Sequence, residues 1–107
     1  MTFYKVVYAQ EAYQDLVKIY NYVLTICLEP SIAGNLVNKI KKAIDTLNYF
    51  PFRHPKFESS TKQNENVRKL ITKGYAIIYR VDDRNKIVTV LEVASCKRDY
   101  KNANSTN

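Results

Sequence analysis

The chain has 107 residues, 46% hydrophobic and 25% charged, with only two glycines and three prolines. That is enough for one core but not two, and it excludes a fibrous, low-complexity or largely disordered chain. Of the net charge of +7, residues 62–107 carry +5, from ten Lys/Arg against five Asp/Glu, which favours an anionic partner such as nucleic acid or an acidic protein over mere solubility.

The opening FYKVVY is β-branched and aromatic and reads as a short strand. From Gln10 to about Cys27, Ala12, Leu16, Ile19, Tyr20, Val23 and Cys27 recur at helical spacing. Glu11, Gln14, Asp15, Lys18 and Asn21 fall on the opposite, solvent face. Glu29-Pro30-Ser31 ends this helix and offers Ser31 as the cap of a second one. In that helix Ala33, Leu36, Val37, Ile40, Ala43, Ile44 and Leu47 make one stripe, backed by Asn35, Asn38, Lys39, Lys42 and Asp45. So short a link folds the helices back on each other, with both stripes toward one surface.

Residues 50–66, FPFRHPKFESSTKQNEN, are proline-punctuated and then polar, and read as a surface loop. VRKLIT follows as a strand, Lys73-Gly74 as a tight turn, YAIIYRV as a strand, Asp82–Lys86 as a turn and IVTVLEVAS as a last strand. The order β-α-α-β-β-β is that of an α+β domain, a helical hairpin on a mainly antiparallel four-stranded sheet. The domain is expected over residues 1–100, with 101–107 a polar tail. Strict alternation in the last strand sets Ile87, Thr89, Leu91 and Val93 against Val88, Val90, Glu92 and Ala94. Both faces are then apolar at the centre of the sheet, and one hairpin covers only one of them. The other is expected to curl on itself or meet a partner chain.

The opening MTFYKVVY lacks the charged start and long apolar stretch of a secretory leader, and no apolar run nears the ~18 residues of a membrane helix. A reducing cytoplasm is the expected setting, with Cys27 and Cys96 unpaired and Cys96 a small buried strand residue. One histidine and scattered cysteines give no metal-ligand spacing, and GxSxG, P-loop and GxGxxG signatures are absent, so no cofactor is implied. His54, between two prolines, reads as a turn residue rather than a base.

What remains is a C-terminal concentration of cations and phenols. Metal-free RNA cleavage needs a group to activate the 2′-hydroxyl, a proton donor for the leaving oxygen and cations on the phosphate. Arg68, Lys97, Arg98 and Tyr100 could hold phosphate and donate a phenolic proton, but Glu92 and Asp99 are weak bases at neutral pH unless perturbed. Singly, each is an ordinary rim residue. Together they define a binding surface and do not establish an enzyme.

The run of AYQDLVKIYNYV, LNYFPFRHP, VRKL, YAIIYRVDD, IVTVLEV and KRDY, in this order over residues 3–100, resembles the RelE/ParE superfamily of bacterial toxins. The resemblance implies a growth-inhibiting toxin of a type II toxin–antitoxin pair, of the plasmid-stabilisation kind. Its cognate antitoxin would wrap it with an extended segment, in complexes that can be of higher order. RelE-like members cut messenger RNA on the ribosome, and ParE-like members poison DNA gyrase. The nucleases usually carry arginines near the positions of Ile71 and Ala76, and one branch ends in a His-Tyr pair where this chain has Asp99 and Tyr100.

The Pro-containing hairpin link, the FPFRHP corner and the terminal Arg-Asp are closer to ParE-like sequences, which favours gyrase as the target. Arg68, Arg98 and Tyr100 would then be recognition residues, supported by Lys97, Asp99 and Glu92. The alternative is a metal-independent ribosome-dependent endoribonuclease, with Arg68 and Arg98 on the phosphate and Tyr100 aiding proton transfer. A further alternative is an inactive basic binding module.

Overall fold

The computed structural model describes residues 3–57 and 66–97. Along it run β1 (Lys5–Tyr8), α1 (Gln10–Cys27), α2 (Pro30–Asp45), two single 3₁₀ turns (Thr46–Asn48 and Pro51–Arg53), β2 (Val67–Thr72), β3 (Tyr75–Asp82) and β4 (Ile87–Ser95). The strands form one sheet in the order β1-β4-β3-β2, with β1 parallel to β4 and the other pairs antiparallel. This is the expected α+β architecture. Its one parallel pair follows from the hairpin, because α1 and α2 carry the chain back across the sheet.

Local chemistry sets the corners. Lys73 and Gly74 both have positive φ, 52° and 80°, as the tight hairpin between β2 and β3 requires. The helix hairpin turns on Leu28, which is left-handed (φ 58°) and returns its amide to the Leu24 carbonyl at 2.7 Å. Ser31 does not cap α2. Pro30 occupies the first turn, where its fixed φ suits the helix and no amide is needed, and Glu29 is the capping position. The Ser31 hydroxyl instead donates to the Glu29 carboxylate at 3.3 Å.

The core lies between the hairpin and one face of the sheet. Ala12, Leu16 and Ile19 of α1 and Ile40, Ile44 and Leu47 of the α2 region meet Leu70, Ile77, Tyr79, Val81, Val88, Val90 and Val93. Each large aliphatic side chain buried here contributes about 1.5–3 kcal/mol. Cys27, placed by periodicity at the end of the apolar stripe, is exposed.

Strict alternation fails in β4. Ile78 pairs with Glu92, but Tyr79 pairs with Val90, so Leu91 is an extra residue, a β-bulge. The bulge turns Val93 onto the same inner face as Val88 and Val90, where periodicity had set it opposite them. The second sheet face holds Val67, Ala76, Ile78 and Ala94, all buried, Ile71, which is 53% exposed, and the charged residues Lys69, Arg80 and Glu92.

Residues 50–57 are more than a loop. They form a 3₁₀ turn and then a bridge from Lys56 to Arg68 that covers the outer edge of β2. Phe57 donates to the Val67 carbonyl at 2.8 Å, and Lys69 to the Pro55 carbonyl at 3.1 Å. Among the described residues no helix is long and apolar enough to cross a membrane.

Candidate functional site

A cleft of about 620 Å³ opens between α1 and the C-terminal half of β4. Its helix side carries Glu11, Asp15, Lys18 and Tyr22, and its sheet side Tyr75, Glu92, Ser95 and Lys97. Two of the residues singled out in the sequence, Glu92 and Lys97, therefore share one wall. Cys96 and Lys97 form a helical turn beyond β4, so Cys96 is a half-buried residue just past the strand rather than part of it. The Cys96 amide donates to the Gly74 carbonyl at 2.9 Å, and the Lys97 amide to the Ser95 hydroxyl at 3.2 Å. Arg98, Asp99 and Tyr100 lie outside the described residues.

Periodicity puts Asp15 on the solvent face of α1, yet it is half-buried and accepts a hydrogen bond from the Val93 amide at 3.0 Å. Nothing in the spacing of α1 signals this contact, which joins residues 78 positions apart.

Arg68 is not in the cleft. It lies on the inner face opposite Tyr79, and one guanidinium nitrogen donates to the Phe52 carbonyl at 3.1 Å and the His54 carbonyl at 2.7 Å. The guanidinium also sits 5.1 Å from the centre of the Phe52 ring. Arg53 is tied in the same corner, donating to the Tyr49 carbonyl at 2.6 Å and the Thr46 hydroxyl at 2.8 Å. Tyr79, fully buried, donates to the Pro51 carbonyl at 2.6 Å, and burial pushes its phenol up to about 12. The His54 ring meets Tyr79 edge-on, and burial followed by the Arg53 charge lowers its pKa. The FPFRHP corner is thus a latch between the end of α2 and the sheet, and it ties up two of the chain's arginines.

The charges in the cleft are mixed. Its lining includes three carboxylates, Glu11, Asp15 and Glu92, and two ammonium groups, Lys18 and Lys97. On the second sheet face, Ile71 pairs with Ala76 and Ala76 with Ala94, an uncharged row across three strands. Among the described residues, the cations of that face are Lys69 and Arg80, in the next two cross-strand rows.

The family described as the ParE toxin of the type II toxin–antitoxin system parDE matches residues 6–100. No curated protein sequence matches the chain. Among solved structures, the chromosomal ParDE toxin–antitoxin system of P. aeruginosa is similar at 19% identity and a TM-score of 0.71, over 87% of this chain and 96% of that one. The RelBE2 toxin–antitoxin complex of Mycobacterium tuberculosis is similar at 23% identity and a TM-score of 0.61, over 89% and 93%. The archaeal RelE–RelB complex of Pyrococcus horikoshii gives 18% and 0.60, over 92% and 99%. At these identities the structures share the fold.

Proposed function

The chain belongs to the ParE toxin family of type II toxin–antitoxin systems, and on that footing we propose that it arrests bacterial growth by poisoning DNA gyrase until a cognate antitoxin neutralises it. The observation that carries this reading is the uncharged row Ile71–Ala76–Ala94, whose first two residues stand near positions where RelE-like nucleases usually carry arginines. A face of this kind suits contact with protein, where burying apolar area supplies the affinity. Lys69 and Arg80, the cations of that face, lie in the next two cross-strand rows rather than in this one.

On this reading the recognition residues are Arg98 and Tyr100 at the end of the domain, supported by Lys97, Asp99 and Glu92. Arg68 contributes by holding the corner that supports the sheet. The domain comprises residues 1–100, working in the cytoplasm without a cofactor. An antitoxin partner is in keeping with the similar structures, several of which are toxin–antitoxin complexes.

The cationic C-terminal half supports a second reading, ribosome-dependent cleavage of messenger RNA. Two readouts on arrested cells separate the two. Induction of the chain should arrest growth and raise a DNA-damage response while translated messages stay intact. Rapid codon-linked cleavage of messages without DNA damage would sink the gyrase reading. Purified protein gives a further discriminator. Gripping four phosphates of single-stranded RNA predicts a log–log salt slope of about −3, from ~0.7 per phosphate.

A further inference from the structure

β1 stops too early to cover β4. Its last residue, Tyr8, is paired with Val90, and the Ala9 amide makes the final bond of the pair to the Val90 carbonyl at 2.9 Å. The chain then turns into α1 at Gln10, so among the described residues no strand flanks that side of β4 beyond Val90. Past the bulge at Leu91, the Cys96 amide bonds to Gly74 on the β3 side. In an antiparallel pair such bonds recur at every second residue, so Glu92 and Ala94 also face β3, while Val93 faces the edge that β1 has left. A buried backbone amide without a partner costs about 1–3 kcal/mol. Val93 is only 3% exposed, so water does not readily serve it.

Asp15 fills that vacancy from α1 at 3.0 Å. A single carboxylate thus stands where a neighbouring strand would be, and it does so two residues after the bulge and four before Lys97. We propose that Asp15 is the positioning residue of the C-terminal end. By holding the Val93 amide it fixes the β4 bulge and the direction in which the chain leaves the sheet at Cys96 and Lys97. Arg98 and Tyr100 follow immediately, so the inference rests, for its consequence, on the proposed function. For its geometry it does not.

The test compares Asp15→Ala, Asp15→Asn and Tyr4→Phe. Asparagine keeps a carbonyl oxygen that can accept the Val93 bond, and alanine does not. Tyr4→Phe is the stability control, since it removes a hydrogen bond to Asp83 remote from the cleft. Amide exchange on the purified chain should speed up at least tenfold at Val93 in Asp15→Ala and stay near the parent rate in Asp15→Asn. Val88 and Ile77 should be unchanged in both. The inducer level needed for growth arrest should rise at least tenfold for Asp15→Ala only.

Unchanged exchange at Val93 in Asp15→Ala overturns the proposal. So does faster exchange with full toxicity, which would show that the strand end need not be held. A matching loss in Tyr4→Phe overturns it as well, by tracing the effect to stability. If the parent chain arrests no growth, the toxin reading fails, and the exchange comparison still decides whether Asp15 holds the strand.

Discussion

Replacing Arg68 by methionine separates a structural arginine from a recognition one. Methionine keeps most of the apolar stem but deletes the bonds to the Phe52 and His54 carbonyls and the stacking on Phe52. The half-buried bond to His54, made by a charged donor, is worth about 1.5–3 kcal/mol. The more exposed bond to Phe52 adds little, and the stacking about 0.5–1 kcal/mol at such a site. Against these stands a gain, because the Arg68 Nε is buried without a partner and methionine removes it. The balance is a loss of about 2 kcal/mol. With a urea m-value of about 1.5 kcal/mol/M, that moves the unfolding midpoint down by about 1.3 M. Urea denaturation followed by circular dichroism measures it directly. Growth arrest should survive at a temperature where the variant is folded. A midpoint within 0.3 M of the parent, together with lost toxicity, would refute the assignment and return Arg68 to the recognition surface.

Other expectations follow from single contacts. Tyr79→Phe leaves the Pro51 carbonyl without its buried donor and should cost about 1–3 kcal/mol in the same assay. Leu28→Gly should stabilise the chain by about 0.5–1 kcal/mol in thermal unfolding, since Leu28 holds a left-handed conformation while 79% exposed. His54 has a folded pKa below its ordinary 6.5, so the unfolded chain takes up the proton first. Stability should therefore be full above pH 6.5 and decline as pH falls through the window beneath it, and His54→Asn should flatten that slope. Asp83, lowered by its bonds to Tyr4 and Lys86, acts in a separate and more acidic window. Its contribution is present above its ordinary 3.8 and is lost as pH falls through the lower folded value.

Much of this molecule is legible in the sequence because its signals are local. Periods of 3.6 in Gln10–Cys27 and of 2 in Tyr75–Asp82, and the Lys73-Gly74 turn, each declare themselves within a dozen residues. The features that escaped depend on partners far along the chain. The bulge at Leu91 goes with the early end of β1 and with Asp15, so a count within β4 cannot find it. Arg68 looks like a site residue until the carbonyls of Phe52 and His54 are brought beside it. Ser31 failed as a cap for a local reason, because Pro30 had the stronger claim on the first turn of α2. Glu92 and Lys97 line one cleft with Glu11 and Asp15 of α1, a meeting that needs the folded chain to be seen.

Purified components distinguish gyrase from the ribosome as the target. Gyrase, supercoiled plasmid and the purified chain should together accumulate cleaved, protein-linked DNA, and adding the cognate antitoxin should abolish it. Normal supercoiling at saturating toxin, with cleavage of messages on translating ribosomes in a parallel reaction, would rule gyrase out as the target.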